Sequence, residues 1–283
     1  MASIGNYAFY NCYNLSFITI PSGVTSIGTN LFYACYNLFA VAVPLSVTSI
    51  GVGAFQNCYN SSIVIPSGVT SIENSAFYNC YNLSSIIIPS NVTNIGNTVF
   101  YGCNALSSIT IPSNVTSVGN SIFQNCEALS SVVFLSNTTN IGNSIFSGCY
   151  SLSSVIIPSN ITKINDSTFS NCYNLSSITI PSNVTSIGTS AFSNCNNLSS
   201  ITIPLKVTSI NASAFSGCQG MKAYYFKSTI PPTLSNINAF NNIPSDCIIY
   251  VPRSENQTVL ESYKTAANWS TYANQIQEEP EQL

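Results

Sequence analysis

The sequence contains no histidine among its 283 residues and few charged residues of any kind. The absence of histidine excludes Ser-His-Asp and Cys-His catalysis, and histidine-ligated metal sites, within the chain. Charged residues make up 5% of the chain, and only Glu73 and Glu127 precede Lys163. Acidic side chains are therefore too sparse to place two carboxylates around a bond. We predict no enzyme activity, no catalytic or metal-binding residues and no cofactor.

The chain also lacks clustered positive charge and long apolar runs. Six Lys and Arg residues stand against nine Asp and Glu residues, which gives a net charge of −3. Nucleic-acid affinity rests largely on cations that neutralise phosphates, so we expect no nucleic-acid binding. Ser, Thr or Asn interrupts every hydrophobic stretch well before the roughly 18 apolar residues that a bilayer-spanning helix needs. No membrane span is predicted.

What the sequence has instead is a unit of 23 residues that recurs about ten times. Such a period is the signature of a solenoid or a similar repeat architecture. In each unit a Phe lies three residues before a Cys, from Cys12 to Cys218. The cysteines are 23 residues apart except for one gap of 22, because the segment YNSSIVI at 59–65 lacks a Leu that other units have. The chain begins in the middle of a unit.

Three segments of the unit predict local structure. In L-x-x-I-x-I, two apolar residues alternate with Thr, Ile or Val and Pro usually follows, which predicts a short strand that ends at the Pro. After V-T-S-I there is nearly always a Gly or Asn, such as Gly119, Gly142 and Asn165, for which we predict a left-handed backbone. The Phe-x-x-Cys spacing predicts a single helical or 3₁₀ turn. One unit cannot bury its own apolar residues, so we predict stacked coils with a parallel β-ladder, forming a curved rod.

The unit L-x-x-I-x-I-P-x-x-V-T-S-I-G-x-x-A-F-x-x-C resembles the BspA-like class of leucine-rich repeats. The resemblance covers residues 1 to about 219, and the segment CIIYVP at 247–252 with the residues after it resembles the family's ending. It implies a leucine-rich-repeat solenoid that is secreted or displayed on the cell surface. It also implies attachment to host matrix, to cells or to other microbes, and it implies no chemistry.

We divide the chain into four parts: residues 1–219 form about ten leucine-rich repeats, 220–252 irregular terminal coils, 253–276 a C-terminal cap helix and 277–283 a disordered tail. The cap is expected because an open stack leaves its last apolar layer and strand edge exposed. Val259, Leu260, Tyr263 and Ala267 recur at helical spacing, and Ser254 is placed to cap the helix start.

The cysteines are predicted to be core residues. Ten of them occupy one position of the unit, where a thiol acts as a small apolar side chain. We therefore expect buried thiols rather than disulfides or metal ligands.

Two surfaces are candidates for binding. The first is the outward face of the predicted strands, which in solenoids commonly binds partners. Its candidate residues are Phe17, Thr19, Phe39, Ile87, Thr110, Val133, Ile156, Thr179, Thr202 and Tyr225. The second is an aromatic edge beside Phe and Cys, whose rings either bind sugars or an apolar protein patch, or stack on one another and shield the corner. Its residues are Tyr10, Tyr13, Tyr33, Tyr36, Tyr59, Tyr78, Tyr81 and Tyr101.

Three functions remain open from the sequence. The leading hypothesis is a non-catalytic adhesion or protein-interaction module that is extracellular or at the cell surface and binds a surface or matrix protein of a host or neighbouring cell. A second is a structural element whose coils self-associate into a fibre or surface layer. A third is a glycan-binding module that uses the tyrosine stripes.

Overall fold

The computed structural model describes residues 3–60, 62–135 and 138–280 and contains two compact units, Met1–Leu152 and Ser153–Leu283. The chain is a β-solenoid of about 11 parallel turns with a C-terminal helical segment. The predicted repeat solenoid is therefore confirmed.

The first unit contains two kinds of short strand, which alternate along most of its length. In chain order they are β1 (Phe17–Thr19), β2 (Ser26–Ile27), β3 (Ala40–Ala42), β4 (Ser49–Ile50), β5 (Ser62–Ile63), β6 (Ser71–Ile72), β7 (Ser85–Ile86), β8 (Asn94–Ile95), β9 (Ser108–Ile111) and β10 (Ser131–Phe134). The L-x-x-I-x-I strands pair in parallel as β1–β3, β5–β7 and β9–β10. The V-T-S-I segments give β2, β4, β6 and β8, which form one parallel sheet.

The second unit repeats this arrangement. Its strands are β11 (Lys163–Ile164), β12 (Ser186–Ile187), β13 (Ser200–Ile203), β14 (Ser209–Ile210), β15 (Ala223–Phe226), β16 (Thr233–Leu234), β17 (Ile248–Val251) and β18 (Ile276–Glu278). The sheet β11-β12-β14-β16 comes from V-T-S-I segments and an irregular last coil, and β13-β15-β17-β18 from L-x-x-I-x-I segments and the chain end. The V-T-S-I ladder was not predicted as a sheet.

The interior is made of columns in which equivalent residues of successive coils pack on each other. Phe32, Phe55 and Phe77 are fully buried, and their ring centroids lie 5.3 and 5.4 Å apart along the column. Each ring covers the face of the next, so one coil buries the apolar layer of its neighbour. This is why a 23-residue unit folds only in a stack.

The Phe-x-x-Cys turn has the predicted hydrogen bond but is not a continuous helix. The amide of Cys35 donates to the carbonyl of Phe32 at 3.1 Å, as the spacing predicts. Asn30 and Ala34 have φ of 50° and 55°, which interrupts helical geometry. Between them, the amide of Phe32 donates to Ala54 of the next coil at 2.9 Å. The turn thus joins coils as well as closing its own corner.

Glycine occurs after V-T-S-I for a different reason from the predicted left-handed backbone. Gly119 and Gly142 are not in the left-handed region. A Cβ on Gly119 would lie 2.4 Å from the carbonyl oxygen of Gly96, and one on Gly142 equally close to that of Gly119. Glycine is used here because the backbones of successive coils approach too closely for a side chain.

The C-terminal cap differs in detail from the predicted helix over 253–276. Its one α-helix is α1 (Thr258–Thr265), with 3₁₀ segments at Glu255–Gln257 and Trp269–Gln275. The helix ends early because Ala266 is extended and Asn268 is left-handed. Val259, Leu260 and Tyr263 are buried, but Ala267, beyond the helix end, is exposed.

Two further predictions concern the start of the cap helix and the C-terminal tail. Ser254 is not the N-cap residue of α1, which is Gln257, but the Oγ of Ser254 accepts from the amide of Val259 in the first turn at 2.9 Å. The prediction of a disordered tail was wrong at its beginning, because β18 pairs with β17. In addition, the backbone amide of Glu279 donates to the carbonyl of Val251 at 2.9 Å. Backbone pairing gives these polar residues an ordered place that their composition did not indicate. Residues 281–283 of the predicted tail lie outside the described residues.

Candidate interaction surfaces

The outward face of the L-x-x-I-x-I strands, which we call the strand face, is built by alternation. In β9 the residues Ile109 and Ile111 are buried, and Thr110 between them is exposed. Thr19, Ile87 and Val133 occupy the same central outward position in unit Met1–Leu152. Phe17 and Phe39 precede that position by two and three residues in their own coils, and both are exposed. The structure thus brings the first-unit candidates to one face.

The sequence prediction omitted Val64, which belongs to the same face. It directly follows β5, and Ile63 of that strand pairs with Ile86 of β7, so Val64 lies beside Ile87. Their side chains are 79% and 82% exposed. Val64 lies in the coil that lacks one residue, which offsets the spacing of the unit there. Its signal in the sequence is the I-V-I alternation at 63–65.

A shallow groove of about 550 Å³ crosses the strand face of the first unit. Ile87 lines one side and Val133 with Leu135 the other, and the shorter Thr110 lies between them. Apolar walls on either side of a small side chain make a concave, neutral surface.

The second unit carries its own part of the strand face. Ile156, Thr179 and Thr202 are exposed, and Tyr225 is partly buried. Ile156 and Thr179 line a groove of about 450 Å³. Tyr225 stacks on Tyr250 with ring centroids 5.2 Å apart, and the Nζ of Lys227 lies 6.0 Å from the Tyr225 ring centroid.

The candidate tyrosines form two rows along one edge of the first unit. The row beside Phe contains Tyr10, Tyr33, Tyr78 and Tyr101, and the row beside Cys contains Tyr13, Tyr36, Tyr59 and Tyr81. Within the first row, Tyr10 stacks on Tyr33 and Tyr78 on Tyr101, each pair at 4.7 Å between centroids and within 9° of parallel. In the second row the centroids are 5.2 to 5.6 Å apart. The pairs of the first row therefore cover one another's faces, whereas in the second row only Tyr13 and Tyr36 are near parallel and the later pairs are tilted by 32° and 49°.

The cysteines form a buried column rather than a reactive site. The Sγ of Cys80 donates to the carbonyl of Phe55 at 3.1 Å, and that of Cys126 to Phe100 at 3.0 Å. Burial raises the pKa of both thiols from 9.0 to about 12, which keeps them protonated and unreactive at neutral pH. Within the described ranges, no group of three or more Cys, Asp or Glu residues is arranged to hold a metal ion.

Among the residues with assigned structure, no helix is long and apolar enough to cross a membrane.

The repeat itself matches a known family. The family described as BspA type leucine rich repeat region matches residues 2–130 and 118–247, with six copies. The chain belongs to the BspA-type leucine-rich-repeat family. No curated protein matches this chain significantly.

Solved structures with the same architecture support the fold. A leucine-rich repeat protein from Bacteroides ovatus is 25% identical over 98% of this chain and 87% of its own, with a TM-score of 0.55. The leucine-rich repeat protein of T. pallidum is 25% identical over 65% of this chain and 78% of its own, with a TM-score of 0.50. The pneumococcal vaccine antigen PcpA reaches a TM-score of 0.65 at 19% identity, over 94% of this chain and 68% of its own.

Proposed function

We propose that this chain is a non-catalytic protein-interaction module, secreted or displayed at the cell surface. In this proposal, the strand face of unit Met1–Leu152 binds a surface or matrix protein of a host or neighbouring cell. The observation that carries the proposal is the pair Val64 and Ile87, which are about four-fifths exposed at positions where other coils have Thr. The surface location is supported by membership of the BspA-type family.

Exposed apolar side chains on this face have no role in the core. The inward residues Ile63 and Ile86 already fill the interior of the same coils. The repeat tolerates Thr at the outward position, as Thr19 and Thr110 show, so the fold does not require Val or Ile there. Contiguous exposed apolar area on a folded protein commonly marks an interaction site.

The face is also nearly uncharged. Before Lys163 the chain has only Glu73 and Glu127, and neither belongs to an L-x-x-I-x-I segment. A partner would therefore be held mainly by apolar burial, at about 25 cal/mol per Å² of apolar surface removed from water. Such binding depends only weakly on salt, because few charges are available to be screened.

The strand-face hydroxyls favour recognition over catalysis. The Oγ of Ser130 donates to the carbonyl of Ser107 at 3.1 Å, so this hydroxyl is used to join coils. A nucleophilic hydroxyl needs an adjacent base, and the chain has no histidine. We infer that these side chains maintain the ladder and leave binding to the apolar residues.

The test compares wild type with a triple variant, Val64→Thr, Ile87→Thr and Val133→Thr. Each change installs the residue that other coils have, so the fold is retained. Binding is measured by biolayer interferometry against a panel of purified extracellular-matrix and cell-surface proteins, and by attachment to intact cells. We expect a partner of the wild type to lose at least about tenfold in affinity with the triple variant.

The control is Leu45→Ser, which removes a side chain that is 80% exposed but lies after Pro44 and outside the strand face. It should bind like wild type. Equal binding by wild type and the triple variant would contradict the proposal. Concentration-dependent assembly in sedimentation that the triple variant abolishes would also contradict it, because the partner would then be a second copy of the chain.

A further inference from the structure

The row beside Phe is broken once at Gln56, and both tyrosine rows are interrupted together at one place in unit Met1–Leu152. In the row beside Cys, Asn104 and Glu127 follow Tyr81, and in the row beside Phe, Gln124 follows Tyr101. Where the rings stop, the edge opens into a notch of about 400 Å³. Its lining includes Tyr78, Tyr81, Tyr101, Asn104, Asn125 and Glu127.

The amides in the notch are held in place by the coils. The Nδ2 of Asn125 donates to the hydroxyl oxygen of Tyr101 at 3.0 Å. In the orientation that suits its neighbours, Asn104 donates from Nδ2 to the carbonyl oxygens of Gly102 at 3.0 Å and Asn125 at 2.8 Å. These side chains are therefore ordered before any ligand arrives, which reduces the entropy lost on binding.

The tyrosine hydroxyls supply donors at the same place. The Tyr101 oxygen accepts from Asn125, so its own proton stays available to a ligand. Tyr78 stacks on Tyr101 with centroids 4.7 Å apart. A tyrosine hydroxyl is protonated at neutral pH, and burial first, then the neighbouring hydroxyls of Tyr101 and Tyr81, raise the pKa of Tyr78 further.

Glu127 supplies a strong acceptor. Its side chain is exposed, and within the described part of the chain its carboxylate makes no ion pair. A carboxylate has two oxygens and can accept from two neighbouring hydroxyls at once.

The same composition argues against other ligands. No cation lines the notch, so a phosphate or sulfate would meet the Glu127 carboxylate without a counter-charge. A hard metal ion requires six or more oxygen ligands, usually from several carboxylates, and only one is present. What remains is a neutral ligand with many hydroxyls that both donate and accept.

We propose that this notch binds one residue of a neutral saccharide. The Glu127 carboxylate accepts from two vicinal hydroxyls, and the tyrosine hydroxyls and the asparagine amides bond the other sugar oxygens. The notch lies on the tyrosine edge and uses none of the strand-face residues, so the proposal stands independently of the protein-binding function.

The test uses the full chain and four probes, the methyl glycosides of glucose, galactose, mannose and N-acetylglucosamine. Saturation-transfer NMR and calorimetry at millimolar sugar measure binding to wild type, Glu127→Gln and Tyr101→Phe. We expect at least one probe to bind, and the affinity to fall by about tenfold or more in Glu127→Gln because a charged hydrogen-bond acceptor is lost. Tyr101→Phe should weaken binding by about threefold to tenfold.

Matched controls are Glu73→Gln, which removes the other carboxylate before Lys163, and Tyr33→Phe, which removes the equivalent hydroxyl of the stacked pair Tyr10–Tyr33, outside the notch. Both should bind like wild type, and circular dichroism should show the same fold in all variants. The proposal is overturned if none of the four probes binds. It is equally overturned if Glu127→Gln binds like Glu73→Gln, or if binding appears only after calcium is added.

Discussion

The indole nitrogen of Trp269 donates a hydrogen bond to the carbonyl oxygen of Pro232, at 2.7 Å from Nε1 to O. Between regular coils such carbonyls accept from backbone amides, as the carbonyl of Thr185 accepts from the amide of Thr208 at 2.9 Å. At the cap, side chains provide the donors instead. The hydroxyl of Tyr263 likewise donates to the carbonyl of Ser228 at 2.9 Å. The cap thus ends the stack by satisfying backbone groups and covering the last apolar layer.

Removing the indole donor should destabilise the cap. In Trp269→Phe the buried Pro232 carbonyl loses its donor, so we expect a loss of about 1–3 kcal/mol in the free energy of unfolding. Trp269→Ala should lose more, about 3–5 kcal/mol, because it also leaves a cavity. Urea unfolding followed by circular dichroism measures both, since Trp269 is the only tryptophan and its fluorescence is lost with it. The exposed neighbour Thr271 provides the control Thr271→Ala, and equal midpoints for all variants would refute the role of the indole.

The shortened coil contains a buried polar side chain that should limit stability. Asn60 is 1% exposed, and its amide has no hydrogen-bond partner among the described residues. In the next coil, Leu83 is the buried residue between Cys80 and the strand. We expect Asn60→Leu to raise the free energy of unfolding by about 1–3 kcal/mol, because an unpaired buried amide is replaced by an apolar group.

The reciprocal change provides the control for this prediction. Leu83→Asn should lower the free energy of unfolding by at least a similar amount, measured by the same urea titration. If Asn60→Leu were destabilising, the amide would have to serve a structural role.

The close approach of coils at the V-T-S-I glycines gives a third prediction. Gly119→Ala should be destabilising by about 1–3 kcal/mol, because its Cβ would overlap the Gly96 carbonyl and backbone atoms cannot move aside cheaply. Gly5 occupies the same repeat position but has no atom within 4 Å of a built Cβ. Gly5→Ala should therefore change the unfolding temperature little. Equal effects of the two substitutions in thermal unfolding would show that close approach is not the reason for glycine.

Alkaline pH should destabilise the protein through its buried thiols. The fold raises the pKa of Cys80 and Cys126 from 9.0 to about 12, so it favours the protonated form. Their contribution to the free energy of unfolding is therefore complete below pH 9. It is lost as the pH rises from 9 towards 12, where the thiols of the unfolded chain release their protons. Each thiol should contribute a decline of about 1.4 kcal/mol per pH unit in this range.

The measurement is urea unfolding across this pH range in the presence of a reductant. Tyrosines ionise there as well, so the informative quantity is the difference between wild type and Cys80→Ala. The slope should be shallower in the variant by the contribution of one thiol, and parallel slopes would contradict the prediction.

Thiol labelling should distinguish a buried column from disulfides. The structure has all eleven cysteines as thiols, and ten of them are buried. Without reductant, Ellman's reagent should react only slowly with the native protein. In denaturant it should react with all eleven thiols. Fewer than about nine reacting thiols would indicate disulfides between coils.

The sequence predicted most of the architecture because about ten copies of one pattern show the shared strand and turn positions despite irregularities in single units. The alternation at Ile109-Thr110-Ile111 indicated a strand with one face inward, and the structure has β9 there. Val115 and Val118 are three apart, a spacing that does not indicate a strand, so the second ladder was missed. Its strands are held by pairing between coils, which a local pattern does not show.

The candidate surfaces were less predictable because they depend on which coils are neighbours. The notch requires Tyr81, Tyr101 and Glu127, which come from three successive coils. Its signal was present as the loss of Tyr at 104 and 127, but an interruption becomes a notch only when the rows are known to stack. The left-handed backbone was likewise predicted at the glycines after V-T-S-I, whereas the structure has it at positions such as Asn30. Those glycines are explained by the short distance between coils, which composition does not reveal.

The spacing of the inter-coil contacts has a consequence for how such a protein changes over time. The hydrogen bond from Thr185 Oγ1 to the Thr162 carbonyl and the one from Thr208 Oγ1 to Thr185 each span 23 residues, and each is made again by the next coil. Loss or duplication of a whole unit therefore leaves every remaining coil with the same kind of neighbour. Recombination between near-identical repeats in the gene can lengthen or shorten the protein in steps of one coil, and the cap serves any length unchanged.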